Sequence, residues 1–163
     1  MLILNSQVLV AKLNLMEISV RKYCQERALI PRGTLINWLE NPSQPRLRDI
    51  QNLADAADLP VDVMYADVFS EQDIESLPDE TLETLHAEED MMLILNMSAI
   101  RSKLIDQKKS VDELCRDKRL HISRTTYIKW KKDPSLPRLK EVQRIANALN
   151  IPPEEILTKI SYK

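Results

Sequence analysis

The stretch that decides the fold is SRTTYIKWKKDPSLPRLKEVQRIANALNIPPEEIL, residues Ser123–Leu157. Ser123 is a favourable N-cap, so a helix is predicted to begin at the residue after it. Tyr127 and Trp130 lie three positions apart in that helix and therefore share one face. We expect these two aromatic side chains to pack in a core.

The same stretch predicts two further helices. A fourth helix is indicated by apolar residues at helical spacing, namely Leu139, Val142, Ile145, Ala146 and Leu149. Ser135 is its predicted cap. Pro152 and Pro153, followed by two glutamates, are typical of the start of a fifth helix.

Two more helices are predicted upstream of Ser123. Asn96 can cap the first of them. Its apolar side is formed by Ile100, Leu104 and Ile105. Ser110 and Glu113 form an S-x-x-E capping box that begins the second helix, on which Cys115 lies. The segment therefore predicts five short helices in one compact unit.

This unit occurs twice in the chain. The run MLILN at Met1 returns at Met92, and TLINWLENPSQPRL (Thr34–Leu47) returns as TYIKWKKDPSLPRL (Thr126–Leu139). The offset of 91 residues becomes 92 near His121, where the second copy has one residue more. A repeat of this length predicts two similar small domains, residues 1–68 and 92–163.

The first copy carries corresponding helix-start signals at Asn5, Ser19, Ser43 and Pro60. The four apolar residues MLIL before each asparagine are ambiguous, because periodicity does not separate a short strand, an extension of the first helix and a staple onto the bundle. The two runs could pack on one another, although core filling within each domain is the simpler interpretation.

Composition favours an all-α protein. The chain has a single glycine, Gly33, and so lacks the glycine-containing turns typical of hairpins and phosphate-binding loops. The segment 69–91 contains nine acidic residues and no lysine or arginine, and Pro78 is a suitable helix start within it. We therefore expect two tandem five-helix domains joined by an acidic, partly helical linker.

Several classes of protein are excluded by what the sequence lacks. It has neither a long apolar run nor a signal sequence, which predicts a cytoplasmic protein without a membrane partner. Cys24 and Cys115 occupy the same repeat position and are expected to be buried side chains, with a disulfide or redox switch as the alternative. His86 and His121 have no ligand partners at suitable spacing, so neither a metal site nor a cofactor is expected. No nucleophile with a base is present, and we expect no enzyme.

Charge separates the two copies. Residues 1–68 contain seven basic and eight acidic residues, whereas residues 92–163 contain sixteen basic and eight acidic residues, a net charge of +8. The chain as a whole has a net charge of only −2. A basic domain of this kind is typical of a surface that binds phosphate groups.

The order of helices in the two copies resembles the phage-repressor, or XRE-type (Cro/CI-like), helix-turn-helix family, in two tandem copies. The resemblance covers residues 98–157 and, by duplication, about residues 7–66. SRTTYIKW (Ser123–Trp130) corresponds to the recognition helix of that family. The turn before it is longer than usual and lacks glycine, and Ile36 and Ile128 occupy positions where the family often exposes a polar side chain.

The resemblance implies which residues of the second domain contact DNA. The start of the third helix enters the major groove, which places Arg124, Thr125 and Lys129 at base edges, with Arg124 suited to guanine. The hydroxyl groups of Thr126 and Ser110 are placed to reach phosphate oxygens.

Three further basic residues, Lys131, Lys132 and Arg138, are placed by the resemblance to neutralise the DNA backbone. For Lys131 and Lys132 the alternative is a solvated helix face without a partner. In the first case, neutralisation of phosphates would set the affinity for DNA and its dependence on salt.

The first domain offers fewer contact residues. Arg32, Gly33 and Asn37 correspond to the base-reading positions, and Gly33 has no side chain with which to contact a base. Arg46 is retained, but Glu40 replaces a lysine and would repel phosphate. We expect either a weaker DNA contact or a fold now used for protein association.

The leading hypothesis is a sequence-specific DNA-binding transcriptional regulator of phage or mobile-element type. Its partner is double-stranded DNA, and the second domain is the main reader. The alternative is a protein-interaction regulator, such as an antirepressor or adaptor, that uses the fold as a scaffold and forms a homodimer or binds a protein partner through the first domain. A related hypothesis is that the acidic linker docks on the basic domain and shields it.

Overall fold

The computed structural model describes residues 1–163. Its first half (residues 1–68) contains two short strands and four helices. In order these are β1 (Leu2–Leu4), α1 (Ser6–Leu15), α2 (Val20–Lys22), α3 (Arg32–Glu40), α4 (Leu47–Ala56) and β2 (Tyr65–Asp67). A π-helical turn, Tyr23–Ala28, continues α2 directly, and a 3-10 turn, Val61–Val63, precedes β2.

The connector (residues 69–91) contains a 3-10 turn, Glu71–Asp73, and α5 (Asp79–Thr84), which starts after Pro78 as predicted. The second half (residues 92–163) repeats the order of the first. Its elements are β3 (Met91–Leu95), α6 (Met97–Asp106), α7 (Val111–Arg116), α8 (Arg124–Lys132), α9 (Leu139–Leu149), a 3-10 turn (Pro153–Ile156) and β4 (Leu157–Ser161). None of the nine helices is both long and apolar enough to cross a membrane.

The prediction of an all-α fold was wrong, because each half contains a two-stranded antiparallel sheet. The two MLIL runs form β1 and β3, which pair with β2 and β4. The paired strands are the first and last elements of each half, so no tight hairpin turn joins them and the scarcity of glycine does not exclude them. The five-helix layout was also wrong, since a single 3-10 turn takes the place of each fifth helix.

The predicted caps had mixed outcomes. The side chains of Asn96, Ser110 and Ser123 each accept a hydrogen bond from a backbone N–H three residues later, which confirms them as N-caps. Ser135 and its counterpart Ser43 were wrongly assigned, because α9 and α4 begin four residues later. Ile105 was wrongly placed on the apolar side of α6, because its side chain is 66% exposed.

The backbone before α4 and before α9 joins the two halves. We call this contact, formed by residues 43–48 and 135–140, the seam. Four backbone hydrogen bonds cross it, from Leu47 N to Pro137 O (2.9 Å), Leu139 N to Pro45 O (3.0 Å), Arg48 N to Ser135 O (3.1 Å) and Lys140 N to Ser43 O (3.0 Å). Each bond has a counterpart at the repeat offset, so the seam has pseudo-two-fold symmetry around the β-bridge between Arg46 and Arg138.

Packing across the seam follows the same symmetry. Strand β1 packs on α9 of the other half, and β3 packs on α4. One continuous cluster of 34 buried residues draws on both halves and the connector. The symmetry is imperfect, because Gln51 Oε1 accepts a hydrogen bond from Leu93 N (2.9 Å) whereas the buried Oε1 of Gln143, at the same repeat position, has no partner.

The connector packs on the first half. Leu82 of α5 is fully buried against α1, and Lys12 Nζ donates to the carbonyl oxygen of Leu82 at 3.0 Å. The ion pairs between connector carboxylates and the second half involve only Lys159 and Lys163, which lie in and after β4. The connector therefore contacts the basic second half at β4, and no ion pair joins it to α8.

Candidate nucleic-acid interface

Helix α8 has one buried side and one exposed, basic side. Ser123 Oγ accepts a hydrogen bond from Thr126 N at 3.1 Å and so begins the helix. Tyr127 and Trp130 are buried, which confirms their predicted place in the core. The side chains that remain exposed are those of Arg124, Thr125, Ile128, Lys129, Lys131 and Lys132.

Helix α7 packs against α8 within the second half. Ser110 Oγ accepts from Glu113 N at 3.1 Å, and the Glu113 carboxylate accepts from Ser110 N at 3.4 Å, as the predicted capping box requires. Leu114 and Cys115 are buried on the side of α7 that faces the core. Burial raises the pKa of the Cys115 thiol, and the nearby Asp112 carboxylate raises that pKa further. The raised pKa favours the protonated thiol, in keeping with a packing role.

The turn between α7 and α8 accommodates the one extra residue of the second half. Leu29 and His121 both adopt the left-handed backbone conformation, with φ of 53° and 49°. In both halves the next residue, Ile30 or Ile122, donates its N–H to the carbonyl of the repeat-related cysteine. The extra residue therefore lies between Cys115 and His121, where the π-helical turn of the first half is replaced by a looser turn.

The basic residues of α8 differ in whether they form an ion pair. Arg124 Nη1 lies 3.3 Å from Asp112 Oδ1, so the arginine assigned to guanine is held by a carboxylate of α7. Lys129, Lys131 and Lys132 form no ion pair in the structure. Uncompensated positive charge on this helix therefore lies mainly in its second half rather than at its start.

Several of the predicted phosphate-contacting residues already form hydrogen bonds within the protein. The Thr126 hydroxyl is 2.9 Å from Ser123 Oγ, and the Ser110 hydroxyl is engaged in its own helix cap. Arg138 is half-buried at the seam, where its Nη1 donates to Gln44 Oε1 of the first half at 2.6 Å. Arg46 lies opposite Arg138 in the central β-bridge.

In the first half, α3 presents fewer polar groups than α8. Arg32 is exposed and forms no ion pair, and a Cβ added at Gly33 would meet nothing within 4 Å. Asn37 Oδ1 accepts a hydrogen bond from Asn41 Nδ2 at 3.2 Å. Ile36 is 37% exposed on the same helix and its counterpart Ile128 is 44% exposed on α8, so the two surfaces differ in charge and not in their exposed isoleucine.

Three basic residues near these surfaces were missed. Arg21 and Lys22 are exposed at the start of α2, at the positions that Asp112 and Glu113 occupy in α7. The alignment of the two copies contains this charge reversal, but it was hidden when charge was summed over whole domains. Lys140 lies in the first turn of α9 and reaches the seam. Its role depends on contact between the halves, which no local pattern indicates.

A capped second helix, a turn and a capped third helix with an exposed basic side define a helix-turn-helix unit, a class of fold used by DNA-binding regulators. Residues 100–156 match the family model described as helix-turn-helix. The match covers most of α6 and all of α7, α8 and α9, and it supports a DNA-binding helix-turn-helix regulator in general. No curated protein and no solved structure matches this chain.

Proposed function

We propose that this chain is a sequence-specific transcriptional regulator of phage or mobile-element type that binds double-stranded DNA. Two helix-turn-helix units, residues 1–68 and 92–163, are joined by the connector, and the second is the main reader of sequence. The observation that carries the proposal is the exposed, unpaired Lys129 on the capped helix α8, within the segment that matches the family model.

The symmetry of the seam supports a chain that acts as its own pseudo-dimer. Dimeric helix-turn-helix proteins place two recognition helices in successive major grooves, roughly 34 Å apart along the DNA. The seam relates α3 and α8 by a pseudo-two-fold axis, as a dimer interface would. Because α3 and α8 carry different side chains, the DNA site consists of two unlike half-sites.

Substitution of the two candidate base-reading residues tests the proposal. We expect Lys129→Ala and Arg124→Ala each to cost about 1–3 kcal/mol of binding free energy and to relax sequence preference at one position. Lys118→Ala, which removes an exposed lysine from the turn after α7, is the matched control. Gel-shift and footprinting titrations on a selected site provide the measurement. Unchanged affinity and unchanged preference in both variants would exclude this readout surface.

A second candidate function, association with a protein partner through the first half, rests on Leu29. This side chain is 77% exposed, and the second half has the polar His121 in its place. The two functions differ in how the chain responds to random duplex DNA. A DNA-binding protein shifts such DNA at low salt, and the shift fades steeply as salt is raised. Absence of any shift at low salt would favour the protein partner.

A further inference from the structure

A cleft opens on the seam, and both halves contribute to it. Its charged side chains are those of Arg46 from the first half and Lys129, Arg138, Lys140 and Glu141 from the second. Thr126 of α8 adds a hydroxyl group. We call this the seam cleft. It is continuous with the exposed side of α8, because Thr126 and Lys129 belong to both surfaces.

The positive charge of the seam cleft is largely uncompensated. The nine ion pairs of the structure include none of its four basic side chains. Arg138 is held by the neutral amide oxygen of Gln44, which fixes the guanidinium at the seam without cancelling its charge. The single carboxylate, that of Glu141, accepts a hydrogen bond from Arg138 N at 2.7 Å and so serves to cap α9.

The lining of the seam cleft indicates the class of ligand. Sites for small organic molecules are mostly apolar with a few polar groups, whereas this cleft is mostly charged. Trp130 lies beneath it and is only 3% exposed, so it offers no face on which a base could stack. Lysine and arginine side chains with a nearby hydroxyl are the groups that contact phosphate oxygens in DNA complexes.

We propose that the seam cleft binds a phosphate of the DNA backbone near the centre of the operator, through side chains from both halves. This inference rests on the proposed DNA-binding function. The Arg46–Arg138 bridge lies on the pseudo-two-fold axis, and in such complexes the symmetry axis of the protein coincides with that of the operator. A phosphate held there fixes the register of both recognition helices and contributes affinity without reading sequence.

The first test removes charge from the cleft. In the full-length protein, the double variant Arg46→Gln and Lys140→Gln is expected to reduce the slope of log affinity against log salt by about two, one for each lost phosphate contact. The loss of affinity should be uniform across DNA sequences, so that the order of preferred sites is unchanged. Lys118→Gln, which is exposed and outside the cleft, is the control. A double variant that melts like the original protein and binds like the control would overturn the inference.

The second test needs no variant. Ethylation interference on the selected operator, with the unaltered protein, should reveal strong interference at the phosphates between the two half-sites. Interference confined to the outer flanks would overturn the seam cleft as a phosphate site while leaving DNA binding intact. If the unaltered protein shows no salt-sensitive binding to any duplex, the proposed function fails and this inference fails with it.

Discussion

The two halves of the molecule carry opposite charge at the start of their second helices. Arg21 and Lys22 lie there in the first half, and Asp112 and Glu113 occupy the same repeat positions in the second. The charge of each whole half has the other sign, since the first half is slightly negative and the second strongly positive. The net charge of a domain therefore does not give the charge of a particular surface, and it is the local charge that a DNA backbone encounters.

This reversal changes the surroundings of the arginine at the start of α3 and of α8. In the second half, Asp112 holds Arg124 at 3.3 Å. In the first half, Arg32 takes the place of Arg124 and Arg21 the place of Asp112, so no ion pair forms between them. The first half thus presents two exposed arginines without ion pairs, although Gly33 and Asn37 offer less for base recognition.

The halves also differ in how their first helices are covered. Helix α5 of the connector lies on α1 and buries Leu82 and the stem of Lys12. Nothing corresponding lies on α6, where Lys103 is partly exposed and pairs with Glu155 at 3.3 Å. The connector is therefore an integral part of the first half, and deletion of residues 71–90 would strip a buried face as well as remove charge.

Truncation of Leu82 should give the largest effect. We expect Leu82→Ala to reduce the free energy of unfolding by about 2–5 kcal/mol, because a fully buried leucine leaves a cavity between α5 and α1. Chemical denaturation measures the change. Ile105→Ala on α6, where the side chain is exposed, is the control and should alter stability little. Equal effects of the two substitutions would mean that the connector does not stabilise the first half.

Neutralisation of Arg21 tests whether the first half contacts DNA. We expect Arg21→Gln to reduce the salt slope of DNA binding by about one and to weaken binding to all sequences alike. Arg27→Gln removes another exposed arginine, near the end of the π-helical turn, and serves as the control. If Arg21→Gln leaves the slope at its original value, the first half does not use the start of α2 to contact DNA.

Removal of the Asp112 carboxylate should strengthen DNA binding, whereas neutralisation of Arg21 should weaken it. Asp112→Asn frees Arg124 and deletes the negative charge beside it, so we expect tighter binding to random duplex DNA, with a salt slope steeper by about one. The helix should lose roughly 0.3–1 kcal/mol, because Asp112 lies in the first turn of α7. Asp106→Asn, at the end of α6, is the control. Unchanged binding would show that the ion pair does not restrain Arg124.

The sequence predicted those features that depend on nearby residues. Each confirmed cap is a side chain bonded to a backbone N–H three positions away, and the burial of Tyr127 and Trp130 follows from helical spacing. The strands were left ambiguous because their partners lie more than sixty residues away. The seam was not predicted at all, since its hydrogen bonds join backbone groups and leave no side-chain signal. For the same reason the contribution of Lys140 to a shared cleft became apparent only in the structure.

The smallest predicted effect concerns the turn before α3. Leu29 adopts a left-handed conformation that costs roughly 1–2 kcal/mol for most residues with a Cβ, and its side chain is mostly exposed, so little packing is lost on substitution. Asparagine tolerates this conformation, and the chain uses it at Asn150, where φ is 56°. We expect Leu29→Asn to raise the melting temperature by about 2–4 °C, as a gain near 1 kcal/mol does in a chain of this size. A thermal melt of Leu29→Ala, which retains the strain, is the control. A melting temperature for Leu29→Asn no higher than that of the control would show that the turn is not strained in the first half.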